Sequence, residues 1–168
     1  TYWISMFLPS ELDRIMGLPY PDIRCATWSK RHFDYFQPNE FDAVNINLFD
    51  DYVSYLEKYM QPHLNFSVLG EHKVYAMFGL VKIRDTVYEA WLLPSASISE
   101  QKFRLHKASI QFFRYAMEKL SIKRLQIAVC TTNVSAYKWA KVCYFQEEGI
   151  LCKYGLNGED YYMMSKIA

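Results

Sequence analysis

Only six glycines occur in 168 residues, about half the usual share of ~7%, so loops built from several bare-backbone positions are excluded from most of the chain. Charge of one sign is not in excess either. Lys and Arg number 19 against 18 Asp and Glu, which supplies no general attraction to nucleic acid or an anionic membrane. The longest apolar run, Val74 to Val81, is closed by Lys73 and Lys82 and falls far short of the roughly 20 residues that cross a bilayer. Cys25, Cys130, Cys143 and Cys152 show no CxxC spacing, so they read as reduced thiols in a cytosolic setting. His32, His63, His72 and His106 never sit at helical spacing with another ligand, and no metal is expected. The opening Thr1-Tyr2-Trp3-Ile4-Ser5-Met6-Phe7 lacks a basic region and a small-residue cleavage site, and reads as a first strand rather than a signal peptide. What the chain has in surplus is aromatic side chains, 17% of it.

Hydrophobic patterning divides the chain without a linker or repeat, as one domain over 1–168. Pro9-Ser10-Glu11-Leu12-Asp13 opens a short helix that Gly17 and Pro19 stop. Leu18 to Asn47 is irregular and reads as loop with a strand or short helical turn. Leu48 to Met60 is helical, with Leu48, Tyr52, Tyr55, Leu56 and Tyr59 on one face and Pro62 beyond. Asn65–Leu69, Val74–Arg84 and Thr86–Leu93 read as an antiparallel meander. Ser97 to Leu120 reads as the longest helix, with a Ser97-x-x-Glu100 capping box at its start. Arg124–Cys130 is a strand, Asn133 to Cys143 a helix, and Glu147–Tyr154 and Tyr161–Ile167 two strands around Asn157-Gly158. Strands on both sides of a long helix imply the α/β or α+β class, a mixed sheet with helices on its faces.

That order, together with Asn133-x-x-Ala136 and the later Phe145, Glu148 and Gly149, resembles the GNAT superfamily of acetyl-CoA-dependent N-acetyltransferases. The resemblance implies a mostly antiparallel central sheet of about seven strands flanked by about four helices. It covers nearly the whole chain in order of elements and about the last eighty residues in motif. Three departures stand out. The family wraps the diphosphate of coenzyme A with a glycine-rich loop after the fourth strand, whereas Leu93-Pro94-Ser95-Ala96-Ser97-Ile98-Ser99-Glu100-Gln101-Lys102 contains no glycine. Ala140 stands where the family often places the tyrosine that protonates the coenzyme A thiolate. Tyr144 stands in the usual glycine place. The glycine-free loop, the aromatic strand Ala90-Trp91-Leu92-Leu93, the basic helix and Trp139 are also similar to a family of small GNAT-like internal virion proteins of T7-type short-tailed phages.

Two readings follow from the resemblance. In the first, the chain is a catalytically degenerate GNAT-like protein of a tailed phage, contacting phage or host proteins in the virion or the cytoplasm of an infected cell. In the second it is an active transferase that uses acetyl-CoA on an amine substrate. Glu89, sharing a strand face with Val87, Trp91 and Leu93, is then the base, and Tyr137 or Tyr144 is the substitute proton donor. Leu93, Ser95, Ser97, Ser99, Lys102 and Asn133 are the candidate cofactor contacts, although the serines and Asn133 also suit helix caps. A third reading takes Lys102, Arg104, His106, Lys107, Arg114 and Lys119 as a nucleic-acid-binding helix face; a solvated face is the simpler account.

Overall fold

A computed structural model of the chain describes residues 7–168, so the strand expected at the start lies outside the described residues. In chain order the elements are α1 (Pro9–Met16), β1 (Arg24–Thr27), α2 (Glu40–Ile46), α3 (Tyr52–Tyr59), β2 (Asn65–Gly70), β3 (Lys73–Arg84), β4 (Val87–Pro94), α4 (Lys102–Lys119), β5 (Arg124–Cys130), α5 (Val134–Val142), β6 (Gln146–Leu151) and β7 (Tyr161–Ile167). Short 3-10 helices cover Lys30–Tyr35 and Ala96–Gln101. One sheet carries the strands in the order β1-β2-β3-β4-β5-β7-β6. Every pairing is antiparallel except β4 with β5.

Burial explains the layering. Val74 to Val81 of β3 is buried throughout, because helices and loops cover both faces of the sheet there. On one face Leu105, Ala108, Phe112, Phe113, Ala116 and Met117 of α4 meet the strands. Phe112 packs edge-on to Phe78 at 5.0 Å, and Phe113 packs on Phe145 at 5.3 Å. Helix α1 lies beside α4, where Glu11 bonds Tyr115 and pairs with Lys119 at 3.1 Å. A smaller cluster of Phe36, Val74, Met77 and Leu93 gathers Trp28, Phe33, Ile46, Tyr52 and Trp91 around it, bringing in the loop before α2 and the helices α2 and α3.

Three expectations are corrected. The 18–47 region holds a strand, as expected, and beyond a short helical turn a seven-residue helix, α2, which Asn39 caps by accepting from Asp42 N at 2.8 Å. None of the residues of α2 is buried, so it has no apolar periodicity to announce it. Helix α3 starts at Tyr52 rather than Leu48, because Asp51 accepts from Ser54 N. The long helix starts at Lys102: the Ala96–Gln101 segment is 3-10, capped by Ser95 rather than Ser97, and Glu100 turns away to pair with Lys73 at 2.9 Å. The described residues thus carry five α-helices and two 3-10 helices, against the about four helices expected, a minor difference within the expected fold.

Candidate functional site

Among the described residues the only parallel pairing in the sheet is short. Val87, Tyr88 and Glu89 of β4 face Arg124, Leu125 and Gln126 of β5, and there the pairing ends. Strand β4 nevertheless continues beside β3 to Pro94, and β5 continues beside β7 to Cys130. The two strands therefore part after Glu89 and Gln126, leaving a fork in the middle of the sheet.

Glu89 stands at the base of this fork. Tyr59 at the end of α3 donates its hydroxyl proton to Glu89 Oε1 at 3.0 Å, and Gln126 Nε2 donates to Oε2 at 3.1 Å. Two donors on different elements hold the carboxylate in one orientation. Burial, with Glu89 next in effect, holds the Tyr59 phenol above its ordinary range. Burial and then Glu89 raise Tyr154 in the same direction. Tyr154 packs against Tyr161 with centroids 5.2 Å apart. Tyr161 is pushed up to about 12, chiefly by burial.

Asp42 lies in the first turn of α2. Burial pushes its carboxyl up to about 6, against a lowering hydrogen bond from Asn39. Its charge is also felt by Tyr52, which burial and Asp42 together push up to about 12, and by Tyr161. Sequence reasoning picked out Glu89 but missed its companions. Gln126 was legible as the polar residue inside Leu125-Gln126-Ile127-Ala128-Val129, and Tyr59 as one of a tyrosine stripe. Asp42 carried no signal, since nothing in a sequence says that a helix with no buried residue lies over a sheet.

The first backbone amides of the turn after β4 are all engaged within the protein. Ser95 N donates to Tyr75 O at 2.9 Å, Ala96 N to Gln37 O at 2.8 Å, and Ile98 N to Ser95 O at 3.2 Å. Ser97 N donates to Ser95 Oγ at 3.1 Å. Ser95 is buried at 1% exposure and forms a bridge with Pro38, and Leu93 is buried in the smaller apolar cluster. Ser99 and Lys102 are exposed. Asn133 caps α5 by accepting from Ala136 N at 3.2 Å.

The two candidate tyrosines lie apart from Glu89. Tyr137 donates to Glu147 Oε2 at 3.0 Å and packs on Tyr162 at 5.2 Å. Tyr144 is 65% exposed, beneath Lys166, and follows α5 with φ +69°. That left-handed conformation explains why glycine suits the place. Ala140 is fully buried. Among the described residues no group of three or more His, Cys, Asp or Glu could hold a metal, and no helix is long and apolar enough to cross a membrane.

No protein-family model matches the sequence, and no curated protein does. Solved structures do resemble the chain. A GNAT-family acetyltransferase from Bacillus anthracis aligns with a TM-score of 0.66 at 14% identity, over 87% of this chain and 95% of that one. Ard1 from Thermoplasma volcanium aligns with a TM-score of 0.67 at 15% identity, over 88% and 98%. A GCN5-related N-acetyltransferase from Brucella melitensis gives 0.67 at 19% identity, over 89% and 77%. Seven strands in this order, a single parallel pair that forks, and likeness at this level over nearly the full length together establish that the chain has the GNAT acetyltransferase fold.

Proposed function

We propose that this chain keeps the GNAT fold without acetyl transfer and acts by binding. The supporting observation is the turn after β4. Acetyl-CoA is the cofactor that the fold implies, and a diphosphate there needs backbone N–H groups with no other partner. The amides of Ser95, Ala96, Ser97 and Ile98 are all spent within the protein. Releasing those of Ser95 and Ile98 takes a donor from the carbonyls of the buried Tyr75 and Ser95, at about 1–3 kcal/mol each. Gln37 O also presents an acceptor at this turn, where a phosphate needs donors. The amides from Ser95 to Ile98 therefore offer a diphosphate no free donor.

The proton-donor position agrees with this reading, since Ala140 carries no transferable proton and the Tyr137 hydroxyl is engaged with Glu147. The resemblance to T7-type virion proteins supports a virion or infection-stage role in contact with phage or host proteins.

A specific observation favours a second reading, the active N-acetyltransferase. The parted strands and the held Glu89 carboxylate are what amine deprotonation beside an acyl donor requires. Calorimetry of the whole chain with acetyl-CoA separates the two. The binding reading expects no heat at millimolar ligand. Micromolar binding that free coenzyme A competes away would overturn it.

A further inference from the structure

The hydrogen bonds that hold Glu89 do not stop at Gln126. Arg124 Nε donates to Gln126 Oε1 at 3.0 Å, while Gln126 Nε2 donates to Glu89 Oε2 at 3.1 Å. Arg124 in turn grips Glu148 with both terminal nitrogens, Nη1 to Oε1 at 2.7 Å and Nη2 to Oε2 at 3.0 Å. Ser165 donates its hydroxyl to the same Glu148 Oε1. With Tyr59 on the other oxygen of Glu89, the chain of contacts runs from α3 through β4 and β5 to β6 and β7.

Strand geometry puts these groups in line. Glu89, Gln126 and Ser165 stand opposite one another across β4, β5 and β7. Arg124 shares the Gln126 face because side chains two apart on a strand point the same way, and Leu125, Ile127 and Val129 fill the core on the other face. Glu148 reaches this row because β6 is bulged. Glu147 pairs with Met164 and Gly149 with Met163, which leaves Glu148 as the extra residue. A bulge re-aims a side chain, and here it turns Glu148 onto Arg124 and Ser165. Their hydrogen bonds, that of Arg124 first, hold the Glu148 carboxyl below its ordinary range.

Polarity gives the chain a direction. A guanidinium only donates hydrogen bonds, a carboxylate only accepts them, and an amide does one at each end. The Gln126 amide between Arg124 and Glu89 therefore has one favourable orientation. Turned over, it would set Nε2 against the guanidinium and Oε1 against the carboxylate, two mismatches at once. The guanidinium is itself fixed, since a two-point contact with a carboxylate constrains its plane as a single contact does not. An exposed ion pair adds little to stability, so orientation rather than strength is what this pair supplies.

We propose that Arg124 is a positioning residue for the fork: clamped by Glu148, it fixes the Gln126 amide and through it the direction of the Glu89 carboxylate. Arg124 acts on Glu89 through the amide and not by contact. The inference concerns how Glu89 is held, so it goes beyond the binding reading and stands whether or not the fork transfers an acyl group.

The test is a coupling measurement on the intact chain with Arg124→Met, Gln126→Met and Glu89→Gln, singly and in every combination. Urea unfolding gives the unfolding constant of each protein. With Gln126 in place, Arg124→Met and Glu89→Gln are expected to be non-additive by about twofold or more in that constant, as for residues of one hydrogen-bond network. In the Gln126→Met background the two are expected to be additive, because the connection is gone. Side-chain amide NMR spectra supply a second measurement. The Gln126 NH2 pair, assigned by its loss in Gln126→Met, is expected to shift in Arg124→Met as it does in Glu89→Gln. It is expected to stay in place in Lys123→Met, which removes a neighbouring exposed charge. Arg124→Gln, a polar side chain without the guanidinium fork, replaces Arg124→Met should that variant not fold. Coupling that survives Gln126→Met means that Arg124 acts on Glu89 through space, and it overturns the proposal. Additivity with Gln126 present, or a Gln126 pair that Arg124→Met leaves unmoved, overturns it equally. No acyl donor enters either measurement, so the outcome is separate from that of the acetyl-CoA titration.

Discussion

Asp42→Asn is expected to stabilise the unliganded protein at neutral pH and leave it unchanged in acid. The Asp42 carboxyl moves from 3.8 to about 6 on folding because burial disfavours its charged form. With the folded value above the unfolded one, the contribution of Asp42 is most favourable below pH about 4 and is lost as pH rises through about 6. A difference of about two units corresponds to about 3 kcal/mol. The first-turn position in α2 opposes this, since a negative charge at a helix N-terminus gains about 0.3–1 kcal/mol. The desolvation cost is larger, so a net gain of about 2 kcal/mol is expected for the isosteric amide above pH 7. Urea unfolding of both proteins, followed by fluorescence from pH 4 to pH 8, gives the comparison directly. The other titrating groups are common to both proteins and cancel in the difference. A variant that is less stable at pH 7, or a difference independent of pH, would refute the reasoning.

Two further outcomes are expected. Tyr144→Gly should stabilise the fold by about 1 kcal/mol, since a left-handed residue other than glycine costs about 1–2 kcal/mol and Tyr144 is exposed; loss of stability in thermal melts would mean that its contact with Lys166 matters more. In the native protein a thiol reagent should modify Cys152 alone, because Cys25, Cys130 and Cys143 are buried. Burial also raises the Cys25 thiol and pushes that of Cys143 up to about 12, so rapid labelling of more than one thiol without denaturant would contradict the packing.

Much of the fold could be read from periodicity. Strands β5 and β7 fall at the expected boundaries, Arg124–Cys130 and Tyr161–Ile167, and the cap at Asn133 opens α5 as expected. These elements bury enough apolar surface that their patterns are unambiguous. Where burial is thin the pattern fails. Helix α2 has no buried residue, and the start of α4 was displaced by a 3-10 turn whose cap is Ser95. The capping box expected at Ser97 and Glu100 lost to a tertiary contact, the pairing of Glu100 with Lys73.

The same division runs through the site. Residue order alone shows that the turn after β4 has no glycine, that position 140 has no hydroxyl, and that Glu89 lies on an apolar strand face, because composition and alternation are local properties. The folded arrangement adds that β4 and β5 part at Glu89, that Gln37 takes the amide of Ala96, and that Tyr59 and Gln126 hold the Glu89 carboxylate. Each of these depends on groups distant in the chain, and hydrogen bonding and charge act through space rather than along sequence.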